Sequence, residues 1–128
     1  MRYLGLFLVA IFISGCSAPK LTVTNKVTGE TGKGTATGAY FSSAGEVTVD
    51  IDGEEFTGPW VAMRDAGSLQ LTFWSMGPKD SGAGVVNLKS DSGRYVRCEF
   101  GYNLSSRSGI GLCKDQKSNT MYDFFMSL

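Results

Sequence analysis

Two patterns of apolar residues divide this chain. Leu4 to Ile13 form an uncharged, mostly apolar run behind a single positive residue, Arg2; from Leu21 onward apolar and polar positions alternate instead, with Gly, Ser, Asp and Asn between the alternating stretches. No stretch of the second region keeps helical spacing over 11 residues, and the reading is all-β. Strands are expected at approximately 21 to 28, 33 to 40, 45 to 51, 54 to 63, 68 to 75, 82 to 89, 93 to 100, 109 to 114 and 120 to 127. Short strands at this spacing predict a small antiparallel meander of about eight or nine strands, forming a barrel or a sandwich.

Two hairpins fix the register locally. In "EVTVDIDGEEFTGPWV" Val47, Val49 and Ile51 face one way and Thr48 and Asp50 the other, and Asp52-Gly53 is a strong two-residue turn signal. That turn sets Ile51 opposite Glu54, Asp50 opposite Glu55 and Val49 opposite Phe56, which directs Phe56 and Trp60 to the core. In "NLKSDSGRYVRCEF" the chain turns at Ser90 to Gly93, with Val96, Cys98 and Phe100 facing in and Arg97 and Glu99 facing out. At the C-terminus Tyr122, Phe124, Met126 and Leu128 share a face, and this last strand is expected to close the sheet. The Gly-, Thr- and Ser-rich region 29 to 45 suits either plain strands or a mobile loop.

The first apolar run is too short for a membrane span, which takes roughly 20 residues, and has the layout of a secretory signal. Ile13, Ser14, Gly15 and Cys16 resemble a bacterial lipobox: a branched apolar residue, two small residues and a cysteine that is acylated and becomes the mature N-terminus. The resemblance implies a lipoprotein whose signal peptide, residues 1 to 15, is cleaved. Cys16 would then carry a diacylglyceryl group and, on its amine, often a further acyl chain such as palmitate. Two or three chains suffice for stable anchoring, where one gives only marginal binding. Residues 16 to 20 would form a short tether and residues 21 to 128 one β domain. Ser17, in place of aspartate after the cysteine, favours the outer membrane over retention at the inner one by analogy with enteric-type lipoproteins.

Removing residues 1 to 15 from the 128 leaves about 113, enough for one domain. It also removes Arg2 from 12 basic residues set against 12 acidic ones, for a net charge of about −1. No basic excess supports nucleic-acid binding. With Cys16 acylated, Cys98 and Cys113 remain in an exported chain and are expected to pair. A bridge closing a loop of about 15 residues contributes on the order of 3 kcal/mol in the chain-entropy model.

The chain contains no histidine, which removes Ser/His/Asp and Cys/His nucleophile activation and the commonest zinc ligand. The "DIDGEE" cluster lacks the spaced ligands of an EF-hand loop, and "GKGTATG" lacks the spacing and helix of a phosphate loop. No catalytic residue, metal ligand or cofactor is therefore assigned. Asp50 opposite Glu55 is a like-charge pair that destabilises a sheet unless a Lys or Arg on a neighbouring strand, or a bound cation, relieves it. Trp74 falls on the polar face of "LQLTFWSMGP" and, if exposed, is the usual kind of anchor for a partner. Asp50, Glu55 and Trp74 are the candidate partner-binding residues.

"YVRCEFGYN" and "GIGLCKDQKSNTMYDFFM" resemble the C-terminal part of small proteobacterial lipoproteins of uncharacterised function. The likeness covers about a quarter of the chain, implies the Cys98 to Cys113 bridge and the final strand, and brings no activity. The layout is also similar to the membrane-bound lysozyme inhibitors, small lipidated barrels with a disulfide, although "SGRY" at Ser92 to Tyr95 is shorter than their inhibitory loop. The function expected is a non-enzymatic binding or structural module anchored in the bacterial cell envelope, with an envelope protein or glycan as partner; the alternative is a lysozyme-type hydrolase inhibitor, and a carboxylate-based hydrolase comes third.

Overall fold

The period-two alternation becomes eight antiparallel strands in the computed structural model, which describes residues 19–38, 44–64, 71–73 and 82–127. They are β1 (Lys20–Asn25), β2 (Thr31–Ala36), β3 (Ala44–Ile51), β4 (Glu54–Met63), β5 (Gly82–Ser90), β6 (Tyr95–Asn103), β7 (Ser108–Asp115) and β8 (Met121–Ser127). Each pairs with the next, and β8 returns to pair with β1 through contacts such as Val23↔Phe124, so the meander closes into a barrel. Closure leaves no open edge to pair with another chain. Region 29 to 45 resolves in part: β2 forms within it, while residues 39–43 lie outside the described residues.

Both expected hairpins are present: the first has the expected register, with Ile51 opposite Glu54 and Val49 opposite Phe56, and the second turns one residue later than expected, between Ser90 and Tyr95. Asp52 and Gly53 take φ values of 54° and 78°, the pair of left-handed residues that a two-residue turn between twisted strands requires. Cys98 lies opposite Cys113 and bonds to it, and Phe100 lies opposite Gly111. The strand expected over 68 to 75 is not formed at residues 71–73, which are irregular; the rest of that segment lies outside the described residues.

The interior is filled from every strand, with Leu21, Val23, Val47, Val49, Ile51, Phe56, Leu88, Val96, Tyr122 and Phe124 all at most 3 % exposed. Phe100 is accommodated by two bare backbones. A Cβ on Gly84 would come within 2.2 Å of its Cζ, and one on Gly111 would meet the Glu99 carbonyl at 2.0 Å. The ring thus lies over Gly84 of β5 and stacks on Phe124, with centroids 5.3 Å apart. Large residues set against glycine allow an eight-stranded barrel to be packed solid.

An up-and-down barrel has two ends of different character. One, the turn end, carries the connections after β1, β3, β5 and β7, none of them longer than five residues. The other, the loop end, carries the entry to β1, the end of β8 and the connections after β2, β4 and β6. Lys20 pairs with Ser127, Ser127 with Ser108 and Ser108 with Asn103, which places the start of the domain beside its final strand and the β6–β7 loop.

Candidate functional site

Three of the connections share one local device. Asn25, Asn103 and Asp115 each accept, on Oδ1, the backbone N–H groups two and three residues ahead: Val27 and Thr28, Ser105 and Ser106, Lys117 and Ser118. The residue four ahead is left-handed in each case, at Gly29, Arg107 and Asn119. A short polar side chain that mimics a backbone turn explains the choice of Asn and Asp. Two of these residues, Asn25 and Asp115, lie at the turn end.

There they meet Arg94, which follows the left-handed Gly93 and turns inward across the barrel mouth. Its Nη2 donates to Asp115 Oδ2 at 3.1 Å and to Asp52 Oδ2 at 3.3 Å, and its Nη1 to Glu54 Oε2 at 3.2 Å. The guanidinium carbon sits 5.2 Å from the Phe56 ring centroid, so the cation caps the aromatic floor of the core. Tyr122 donates its hydroxyl to Asp52 Oδ2 at 2.7 Å, Asn25 donates to Asp52 Oδ1 at 3.1 Å, and Ser92 donates to Glu54.

The electrostatics follow from this packing. Burial alone would raise Asp52, but hydrogen bonds from Tyr122, Asn25 and Arg94 outweigh it and hold the carboxyl below its ordinary range. Asp115 behaves likewise, burial being outweighed by the N–H groups of Ser118 and Lys117 and by Arg94. Glu54 is lowered chiefly by the hydroxyls of Ser92 and Ser90. Burial opposes the charge on Arg94, yet its hydrogen bonds to Asp115, Glu54 and Asp52 raise its pKa further. Tyr122 is pushed up to about 12 by burial and by the adjacent Asp52 carboxylate. The cluster is a mutually neutralising plug whose groups are already engaged with one another.

Beside the plug, Asp50 and Glu55 stand directly opposite each other on the outer wall, as the turn register predicted, and both are exposed. Continuing the Gly34↔Val49 register by one residue brings Lys33 of β2 next to Asp50. Glu30, Lys33, Asp50 and Asp52 line one shallow groove. Lys33 thus lines the same groove as Asp50, but no ion pair joins it to Asp50 or Glu55 among the described residues. Among the described residues no group of three or more carboxylate, cysteine or histidine side chains is placed to hold a metal ion.

Glu99 adds to the sequence reading. It projects to the outer side of β6 as expected, but it is fully buried because residues 71–73 lie across it. Thr72 N–H and Phe73 N–H donate to Glu99 Oε1 at 2.7 and 2.9 Å, and Thr72 Oγ1 donates to Oε2 at 2.7 Å. Arg97 Nε, on the same side of the strand, also donates to Oε2 at 3.0 Å. One carboxylate thus pins the long β4–β5 connection to the barrel wall.

Toward the loop end the outer wall is apolar. Val61, Met63, Ile110 and Phe125 are between 37 and 54 % exposed, and Leu104 in the β6–β7 loop is 48 % exposed. Ile110 and Phe125 are direct cross-strand partners. A sequence signal for this existed. "GIGLC" alternates glycine or cysteine inside with Ile110 and Leu112 outside, and "DFF" places Phe125 beside the inward Phe124.

Of the residues singled out from sequence, Asp50 and Glu55 are brought together, and Cys98 and Cys113 are joined. Cys16 and Trp74 lie outside the described residues. Arg94, Asp115, Tyr122 and Asn25 were not singled out, because a plug assembled from four separate turns has no spacing in the sequence. No family model matches the chain, and neither a curated protein nor a solved structure matches it.

Proposed function

We propose that the chain is a lipid-anchored protein of the bacterial cell envelope, held by acyl chains on Cys16, that acts as a non-enzymatic binding or structural module. The observation that carries this reading is the solid barrel. Phe56, Phe100, Tyr122 and Phe124 fill the interior, and Arg94 covers one mouth. At the other end the Trp60 indole reaches past Gly45 to donate to the Thr37 carbonyl at 2.9 Å. Small-molecule sites are concave and mostly apolar. A barrel packed in this way instead offers a partner its outer surface.

The lipobox-like Ile13-Ser14-Gly15-Cys16 supports export and acylation, and Ser17 supports the outer membrane as the destination. The partner-facing surface is the turn end, where the groove of Glu30, Lys33, Asp50 and Asp52 continues to exposed Glu55. An envelope protein or a glycan suits these polar, hydrogen-bonding groups. The experiment is in-cell photo-crosslinking from residues 27 and 55, both exposed at that end. A discrete envelope adduct that Asp50→Lys weakens is expected; adducts indifferent to Asp50→Lys would reject the assignment of this surface.

The closed barrel with one disulfide also has the layout of the membrane-bound lysozyme inhibitors, which keeps hydrolase inhibition as the second reading. Against it, Ser92 and Arg94 are engaged with Glu54, Asp52 and Asp115 and are not presented to a partner. Absence of muramidase inhibition at micromolar protein would dismiss it.

A further inference from the structure

We infer that the loop end of the barrel is a membrane-contacting surface, with Phe125, Ile110, Leu104 and Met63 seated at the headgroup–acyl boundary of the bilayer that holds the anchor. The inference rests on the acylation of Cys16 and adds an orientation to it: loop end down, turn end away from the membrane.

Three observations converge on this face. The first is where the chain leaves the barrel. Pro19 is buried and its carbonyl accepts the Ala36 N–H at 3.2 Å, so the domain is fixed from residue 19 onward. Only Ser17, Ala18 and Pro19 then separate Cys16 from Lys20, a reach of roughly 10 Å at full extension. A tether of that length cannot hold the barrel clear of the headgroups, and the end it holds down is the one containing Lys20.

The second is the distribution of exposed apolar side chains. Val61, Met63, Leu104, Ile110 and Phe125 all lie in the half of the barrel toward that end, while at the turn end Val27 stands alone. Phe125 is also on the strand that pairs with β1, opposite Thr22, so it flanks the point where the tether leaves. Side chains that protrude singly into water from a packed barrel gain by entering an interface about 5 to 10 Å deep.

The third is charge. Toward the loop end Lys20, Arg64 and Arg107 are exposed against one exposed acidic residue among the described ones, Glu46, whereas at the turn end Glu30, Asp50, Asp52, Glu55 and Asp91 stand among the exposed Lys26, Lys33, Lys89 and Lys117. Cations bordering an apolar patch suit phosphate-bearing headgroups.

The mature chain contains a built-in reporter pair, since residues 16 to 128 include only two isoleucines, Ile51 and Ile110. Ile51 is buried next to the turn end and Ile110 is exposed toward the loop end. The acylated protein, purified from the bacterium that makes it and labelled at isoleucine methyls, is placed in nanodiscs of phosphatidylethanolamine and phosphatidylglycerol containing a gadolinium-chelating lipid. The Ile110 methyl signal is expected to broaden several-fold more than that of Ile51. Phe125→Glu is expected to reduce that difference without changing the melting temperature, because the side chain points away from the core.

Equal broadening of the two methyls in protein whose residue 16 is acylated by mass would overturn the docking and leave the anchor standing. An unacylated residue 16 would remove the anchor and this inference together. If Ile110 is unbroadened and the protein elutes as a dimer, the apolar face belongs to a second copy and the bilayer assignment is wrong.

Discussion

The two ends of the barrel solve the problem of closing a sheet in opposite ways. At the turn end short connections converge on Arg94, and polar groups from β1, β4, β7, β8 and the turns after β3 and β5 satisfy one another. At the loop end the connections after β2 and β4 are longer, Trp60 reaches over a bare Gly45, and apolar side chains are left facing outward. The difference teaches where each kind of stability resides. At the turn end the plug charges have already found partners, and what is left for a polar partner is the groove beside them, with exposed Asp50 and Glu55. The loop end leaves apolar surface exposed, which suits a bilayer rather than a polar partner.

The most severe way to test the comparison is to remove an element common to both ends. Truncation after Thr120 deletes β8, with Tyr122 from the plug and Phe124 from the core, and breaks the β1–β8 closure. Complete loss of cooperative thermal unfolding is expected by circular dichroism. Survival of a folded barrel would show that closure is dispensable.

Next in size is the plug itself. Arg94→Met keeps the cover over Phe56 but leaves Asp52, Glu54 and Asp115 without their shared cation. Asp115 has a side-chain exposure of only 4 % while Asp52 and Glu54 are partly solvated. A loss of about 2 to 3 kcal/mol is expected, between the exposed-pair and buried-pair limits. Urea denaturation at neutral pH measures it.

The same groups set the acid limb of stability. Asp52, Glu54 and Asp115 titrate lower in the folded state than their ordinary values of 3.8, 4.5 and 3.8, so the unfolded chain binds protons first. Their contribution is complete above about pH 5 and is lost as the pH falls through and below the ordinary carboxylate range. Tyr122 acts at the other extreme: its hydroxyl is raised to about 12, so stability falls as the pH rises from about 10 toward that value. Melting temperatures from pH 2 to 7 are expected to show a shallower acid limb in Arg94→Met than in the parent.

Smaller effects separate the two outer walls. Asp50→Lys, at the turn end, replaces the repulsion with Glu55 by an attraction and is expected to stabilise by about 0.2 to 1 kcal/mol. Ile110→Ser, at the loop end, is expected to stay within about 0.5 kcal/mol because that side chain is 54 % exposed on the outer wall. Should Ile110→Ser cost several kcal/mol, the apolar wall would be structural and the contrast between the ends would disappear.

How much of this was legible beforehand follows the same division. The Asp52-Gly53 turn, the register at Val49 and Phe56, the Cys98–Cys113 bridge and the Phe100–Gly111 pairing are local consequences of period two, and each could be counted along the chain. Barrel closure was foreseen as one of two architectures, because alternation states which face is buried but not which strand the last one meets. The plug was illegible since Asp52 and Arg94 come from different hairpins. Its two Asx-type turns, at Asn25 and Asp115, did carry a readable signature. Glu99 lies on the outer side that alternation gave it, but alternation does not say whether another segment crosses that side.

The central claim, a solid barrel fastened to a bilayer through residue 16, is tested most directly by mass spectrometry of the N-terminal peptide from protein made in its own host. The account predicts a chain beginning at Cys16 and carrying diacylglyceryl plus, in a triacylated form, one further acyl group. A chain retaining residues 1 to 15, or one with a free Cys16 thiol, would contradict it.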